Sequence, residues 1–279
     1  MKMNLWSAGS RMTSKYLHVM GIGFQNTFVY RWNFLLRVVF GCIPLMGTFY
    51  LWNSVYRDPS VEIGGYGLHA MISYFLMLVL LDSLTSPTED DFQIAAEIRE
   101  GLINQFLLKP MDYLAYRFSL FCSSRLIYTA ITILPVLAVL WWMRHYLVLP
   151  ASPAAWACAA LATLLSATLQ FLMAYCFALM AFWILDVSAP IFMVYSIEYL
   201  AGGHLFPLKP LLPEGVYNAL MLTPFPYEYW FPLGIFQESL SSHEIAMGFV
   251  FQILWCGIFY GIARWTWARG IRHYTAVGG

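Results

Sequence analysis

Long apolar runs constrain this chain more than any other feature. A helix needs roughly 20 apolar residues to cross the hydrocarbon core of a bilayer. Runs of that kind recur at Phe34–Trp52, Tyr66–Leu84, Ser119–Met143, Ala154–Phe182 and Ile245–Ala263, with a shorter one, Val187–Leu200, that has room for an added turn. Backbone surrounded by lipid must satisfy its own hydrogen bonds, so such runs are helices. Over 279 residues the chain is 60% hydrophobic and 11% charged, whereas soluble domains carry about 25% charged residues. The predicted fold class is an all-α integral membrane protein with six transmembrane helices in a single domain, residues 1–279. The fourth and fifth runs are parted only by WILDVSAP, in which Asp186 and Pro190 make the break.

Lysine and arginine orient the spans, because cytoplasmic flanks carry the excess. With both termini in the cytoplasm, the inner side holds Lys2, Arg11, Lys15, Arg31, Arg37, Arg99, Lys109, Arg117, Arg125, Arg264, Arg269 and Arg272. The outer side holds only Arg57, Arg144 and Lys209. Arg37 and Arg125 lie a turn or two inside their spans, within snorkelling reach of the headgroups. Trp52, Tyr56, Trp141, Trp142, Tyr146 and Trp156 fall at the outer interface, and Tyr30, Trp32, Trp265 and Trp267 at the inner one, where amphipathic rings prefer to sit. Formal net charge is zero, with 15 basic and 15 acidic side chains, so no global field attracts nucleic acid. Cys42, Cys122, Cys158, Cys176 and Cys256 all sit in apolar stretches without CxxC spacing and read as buried hydrophobes, not metal ligands.

The segments outside the spans carry the rest of the information. Residues 1–33 form a cytoplasmic arm whose stripe Tyr16, Val19, Met20, Gly23, Phe24 and Thr27 suits an interfacial helix or an ordinary lead-in. Residues 34–84 hold spans one and two, and 85–118 form a cytoplasmic segment. Residues 119–200 hold spans three to five, 201–244 an extracellular segment, 245–263 span six and 264–279 a cytoplasmic tail. In the 85–118 segment, Ser86 and Glu89 form a capping-box pattern around Pro87, and Gly101 is a natural stop. Pro87–Glu100 is therefore predicted to be a helix, followed by an apolar piece Leu102–Leu108 and then Lys109–Pro110. Gly203–Pro232 contains six prolines, too many for one straight helix, yet it is too apolar for a wet loop. Short broken helices packed on the bundle, or an irregular outer cap, satisfy both facts.

Two stretches resemble a known family. EIREGLINQFLLKP, with Glu97, Arg99, Glu100, Gly101, Leu107, Leu108 and Pro110, resembles the signature of ABC type-2 exporter permeases that follows their second span; Asn104 stands where an acidic residue is frequent. After the fifth span, Gly203, Pro207, Leu208, Pro213 and Pro224 match that family's segment that dips into the membrane from outside. The wording, including LWNSVY, is similar to a less studied branch whose permeases often occur in pairs. The resemblance implies a permease of the cytoplasmic membrane of a prokaryote, powered by a dimeric P-loop ABC ATPase that binds ATP and Mg, and a second permease, identical or related. The segment Glu97–Pro110 would then be the coupling helix that receives force from the ATPase, unless it is simply a solvated, capped loop helix.

The residues exclude other roles. No Gly-Lys pair exists, so the chain has no P-loop, and no cofactor, metal or catalytic residue is expected in it. GxSxG and HExxH are absent as well. Glu198 and His204 are candidate gate residues, with a structural role the competing reading; His69 and His204 fall where they could meet each other or Glu198. Two further function classes stay in view. A lipid-modifying membrane enzyme needs a polar catalytic cluster, and no His–carboxylate cluster is visible in the sequence. An ion-coupled carrier would show charges mid-span and internal repeats, and neither is visible. A lipid-like or amphipathic cargo fits the aromatic and methionine-rich spans.

Overall fold

A computed structural model describes residues 19–21, 31–58, 62–87 and 90–274. The predicted interfacial arm therefore lies almost wholly outside the described residues, as do Glu89 of the capping box, the Arg37 and Cys42 side chains and the last residues of the tail. The described residues are helical, joined by turns, and contain no named strand.

Helix α1 spans Arg31–Val55 and α2 spans Leu68–Thr85, covering the first two apolar runs. Next come α3, Asp90–Arg99, and the short α4, Ile103–Leu107. Helix α5 runs from Tyr113 to Trp142 and bends by 46° between its Tyr113–Ile131 and Ile133–Trp142 parts. Pro135 explains the bend: its ring crowds the carbonyl four residues back, at Ile131, and removes the amide that would donate to it in a regular helix. Helix α6, Pro153–Ala178, is continued by a tighter 3-10 turn, Leu179–Phe182. Its start is fixed by Ser152, whose hydroxyl accepts from the Ala155 amide at 3.1 Å, with Pro153 at the first helical position. Helix α7 is Ser188–Ala201. Three short pieces follow, α8 (Leu208–Leu211), α9 (Glu214–Leu220) and α10 (Trp230–Phe236), before the long α11, Ser242–His273. A full capping box of Ser241 and Glu244 opens α11.

Three helical stretches among the described residues, Leu68–Arg99, Pro153–Phe182 and Ser242–His273, are long and apolar enough to cross a membrane, and the bent α5 makes a fourth if its halves count as one. Helix α7 has 14 residues, about 21 Å at 1.5 Å per residue, so it does not cross a ~30 Å core unaided. Two boundaries move from their sequence-based positions. The third run's helix begins at Tyr113 instead of Ser119, because Asp112 caps it by accepting from the Ala115 amide. The last helix continues to His273, so residues 264–273 are helical where a tail is predicted.

Helix α6 is the central post, packed against α2, α3, α10 and α11. Two apolar cores stack along it. One gathers Tyr74, Leu208, Trp230, Phe231 and Leu233 around α2 and α10. The other gathers Ile94, Ile98, Phe106, Tyr113, Phe171 and Phe182 around α3, α4 and the end of α6. Close approach of α11 to α10 depends on Gly248, where a Cβ would lie 2.0 Å from the buried Phe231 ring. Overpacking of this kind costs about 1–3 kcal/mol. Gly248→Ala is therefore expected to lower the melting temperature of the detergent-solubilised chain by several degrees; an unchanged melt would show that the ring moves aside freely.

Candidate functional site

The α3–α4 turn is built to point apolar side chains away from the bundle. Asp91, Ile94, Ala95 and Ile98 form the buried stripe of α3, spaced as one helix face requires. Gly101 ends the helix with φ +77°, the left-handed conformation expected of it. Ile103 and Phe106 of α4 turn inward, with Phe106 packed 4.9 Å from both Tyr113 and Tyr116. Leu102, Leu107 and Leu108 are left exposed, Leu108 at 88%, with exposed Lys109 and Pro110 beside them.

The charged residues of the same stretch work inward. The Glu97 carboxylate pairs with the Arg117 guanidinium at 2.7 Å and accepts a hydrogen bond from the Tyr113 hydroxyl, also at 2.7 Å. Arg117 Nε donates to that same hydroxyl at 3.2 Å, and the Tyr113 ring lies flat on Trp267 of α11 at 4.7 Å. Arg99 donates to the Leu185 carbonyl at 3.2 Å, tying α3 to the link between α6 and α7, while Glu100 is exposed. In that link the Ser188 amide donates to the exposed Asp186 and holds its carboxyl below the usual range. Asp112 and Arg264 form an ion pair that joins the start of α5 to α11.

The segment between α7 and α11 turns into the bundle. Gly203 has φ +97°, and its carbonyl accepts from the buried Tyr74 hydroxyl at 2.6 Å. Pro207 precedes α8, Leu208 is fully buried, Pro213 precedes α9 in the open, and Pro224 is buried ahead of the Phe225–Tyr227 turn. The chain from Pro226 to Ile235 is buried throughout. Its backbone is satisfied by polar side chains of the spans. Gln252 donates to the Tyr227 carbonyl at 3.0 Å, and the Ser166 hydroxyl donates to that of Glu228.

This inward turn assembles a polar site of which the sequence marks only Glu198 and His204. Tyr229 donates toward Asp82 and Gln170, both at 3.1 Å. His204 Nε2 stands 3.8 Å from Asp82, and Tyr195 of α7 donates to Asp91. Glu198 lines the same cavity. The two predicted gate residues, Glu198 and His204, are thus brought together, whereas His69 lies apart, stacked on Tyr146 at 5.2 Å. A His–carboxylate cluster and grouped charges within apolar helices do exist, although neither is apparent along the chain, because their members come from α2, α3, α7 and the inward segment. Glu228, the one acid in PFPYEYWFP, is the signal that could have revealed it: a lone carboxylate in an apolar run marks a functional site.

Among the described residues no group of three or more His, Cys, Asp or Glu is placed to hold a metal ion. Cys122, Cys158, Cys176 and Cys256 are free thiols.

Long apolar helices around a buried, broken-helix segment define a multi-pass membrane protein. A family model described as ABC-2 family transporter protein matches residues 42–278, and the chain belongs to that family. Comparison with curated proteins and with solved structures returned no match. Membrane proteins of the ABC-2 family generally work with an ABC ATPase partner.

Proposed function

We propose that this chain is the permease subunit of an ATP-driven exporter of the prokaryotic cytoplasmic membrane, with six spans and both termini inside. Helix α7, lengthened by adjoining residues, serves as the fifth span, and a second permease, identical or related, completes the pathway. A separate, dimeric P-loop ATPase binds ATP and Mg and closes on itself. The segment Glu97–Pro110 rides in a cleft of that ATPase and carries its movement into the bundle, shifting it between inward-open and outward-open states. The observation that carries this reading is the exposed leucine tip. Leu107 and Leu108 stand clear on a segment whose Glu97 is tied to Arg117 and Tyr113 of α5. An apolar patch held on a stiff, polar-rimmed element suits a docking knob.

The test is reconstitution with the cognate ATPase. Leu107→Asp and Leu108→Asp are expected to leave the permease folded but to reduce co-purification and stimulated ATP turnover by about tenfold or more, as hot-spot substitutions do. Unchanged assembly and turnover would refute the coupling assignment. A second reading, a membrane enzyme acting on lipid, is favoured by the His204–Asp82–Tyr229 contact. Conversion of a lipid by the isolated chain, without any ATPase, would establish it instead.

A further inference from the structure

The link between α10 and α11 carries a glutamate where its backbone calls for glycine. Glu238 has φ +52°, in the left-handed region, and it is the only residue other than glycine with a positive φ among the described residues. It ends α10 in a Schellman turn. Its own amide donates to the Ile235 carbonyl and the Ser239 amide to the Gly234 carbonyl, both at 3.0 Å. Glycine is the usual residue at that point of the turn, because a Cβ is crowded there. A glutamate in its place points to a use for the side chain.

That side chain reaches across to the start of α6. Glu238 Oε1 accepts from the Ala151 and Ser152 amides, each at 3.2 Å. Proline has no amide hydrogen, so these are the two amides of Pro150–Ala151–Ser152–Pro153. Both precede Pro153, the first residue of α6, and neither has a partner inside that helix. One carboxylate therefore serves both, with hydrogen bonds that its charge strengthens.

Other contacts fasten the same end of the inward segment. Gln237 Nε2 donates to the Ala70 carbonyl of α2 at 2.8 Å. The Phe236 ring meets Trp156 of α6 edge-on at 5.2 Å. Lys209 of α8 pairs with Glu244 of α11 at 2.6 Å. Helix α6 has 26 residues, about 39 Å at 1.5 Å per residue, and α3 and α4 pack at its other end. The Glu238 tie differs from the rest because its own backbone opposes it: once the carboxylate lets go, the residue is free to leave the left-handed region. An element held in strain by its contacts is poised between two arrangements.

We propose that Glu238 is a latch that holds the inward segment against α6 at the end remote from Glu97–Pro110, and that its release opens the transport pathway on that side. The latch is a property of this chain alone. Its release during a transport cycle rests on the exporter reading.

Hydrogen–deuterium exchange of the full-length chain in lipid nanodiscs reads the latch directly, since residues 150–153 carry only those two backbone amides. Glu238→Ala and Glu238→Gly should each speed exchange there by about tenfold, the factor that one charged hydrogen bond commands. Their melts should differ: Glu238→Gly should melt above Glu238→Ala, because glycine escapes the strain that alanine keeps. Wild-type exchange in both variants, or a glycine variant that melts no higher than the alanine one, overturns the latch. A second arm uses the wild-type chain bound to its cognate ATPase, with and without a non-hydrolysable ATP analogue. The analogue should raise exchange at 150–153 to the level of the Glu238→Ala chain, and unchanged protection in that complex overturns the release step. If no ATPase binds the chain, the exporter reading fails and takes the release step with it, while the first arm still decides the latch.

Discussion

Glu97→Ala is expected to be among the most damaging single substitutions in the chain, even though Glu97 is itself one-third exposed. The reason lies in what it leaves behind. Arg117 is only 3% exposed, and Glu97 is the carboxylate that pairs with it at 2.7 Å. Removing one partner of a buried pair typically costs about 3–5 kcal/mol, because the other charge stays desolvated. Asp90 also acts on Arg117 electrostatically, which places the expected loss at the lower end. With roughly 2–4 °C per kcal/mol for chains of this size class, the melt should fall by about 6–12 °C. Arg117→Ala should cost less, since Glu97 can turn toward water. The double variant Glu97→Met, Arg117→Met should recover much of the loss, because an apolar pair leaves no charge stranded. A double-mutant cycle on thermal stability in detergent checks this. If Glu97→Ala melts like wild type, the brace beneath the leucine tip is not structural, and Glu97 is free to face a partner instead.

The helices were legible because their signal is local. Apolar length marked α1, α2, α5, α6 and α11, and the proline count in Gly203–Pro232 marked a broken segment. Gly101 was read as a left-handed stop, and its φ of +77° agrees. The start of α5 and the end of α11 lie beyond the apolar runs, because Asp112 caps α5 and its ion pair with Arg264 ties α11 there, where polar residues continue the helices. Of the acidic cavity only Glu198 and His204 stand out in the sequence, as candidate gate residues. Asp82 and Asp91 lie far upstream of Glu198 and His204, and only the tertiary fold brings the two pairs to one cavity. Glu97 and Arg99 look like surface charges in the sequence, and nothing local says that one is spent on a buried arginine and the other on a carbonyl. Local chemistry therefore revealed where the chain bends, and tertiary packing decided which polar groups meet.

Gly203→Val is expected to abolish accumulation of the folded chain. Three costs fall on one position. At φ +97° a β-branched residue is strained, by about 1–3 kcal/mol. Its Cβ would lie 2.6 Å from the Tyr74 hydroxyl oxygen and 3.1 Å from Trp230 Cβ, and neither ring has room to retreat, as both are fully buried. Displacing Tyr74 would break its 2.6 Å hydrogen bond to the Gly203 carbonyl, leaving two buried polar groups unmet at about 1–3 kcal/mol each. The neighbouring bond from the Trp230 amide to the Gly202 carbonyl, 2.9 Å, would be strained as well. The sum exceeds the range of ordinary single substitutions. Tyr74→Phe loses only the hydrogen bond and keeps the ring, so it should cost about 1–3 kcal/mol, and Gly203→Ala should fall between the two. Fluorescence-detected size-exclusion chromatography of the three variants tests that order. Because this tie fixes where the chain leaves α7, it also sets His204 against Asp82 and admits Tyr229 to the cavity. If Gly203→Ala proves no worse than Tyr74→Phe, the steric argument fails and the hydrogen bond alone holds the turn.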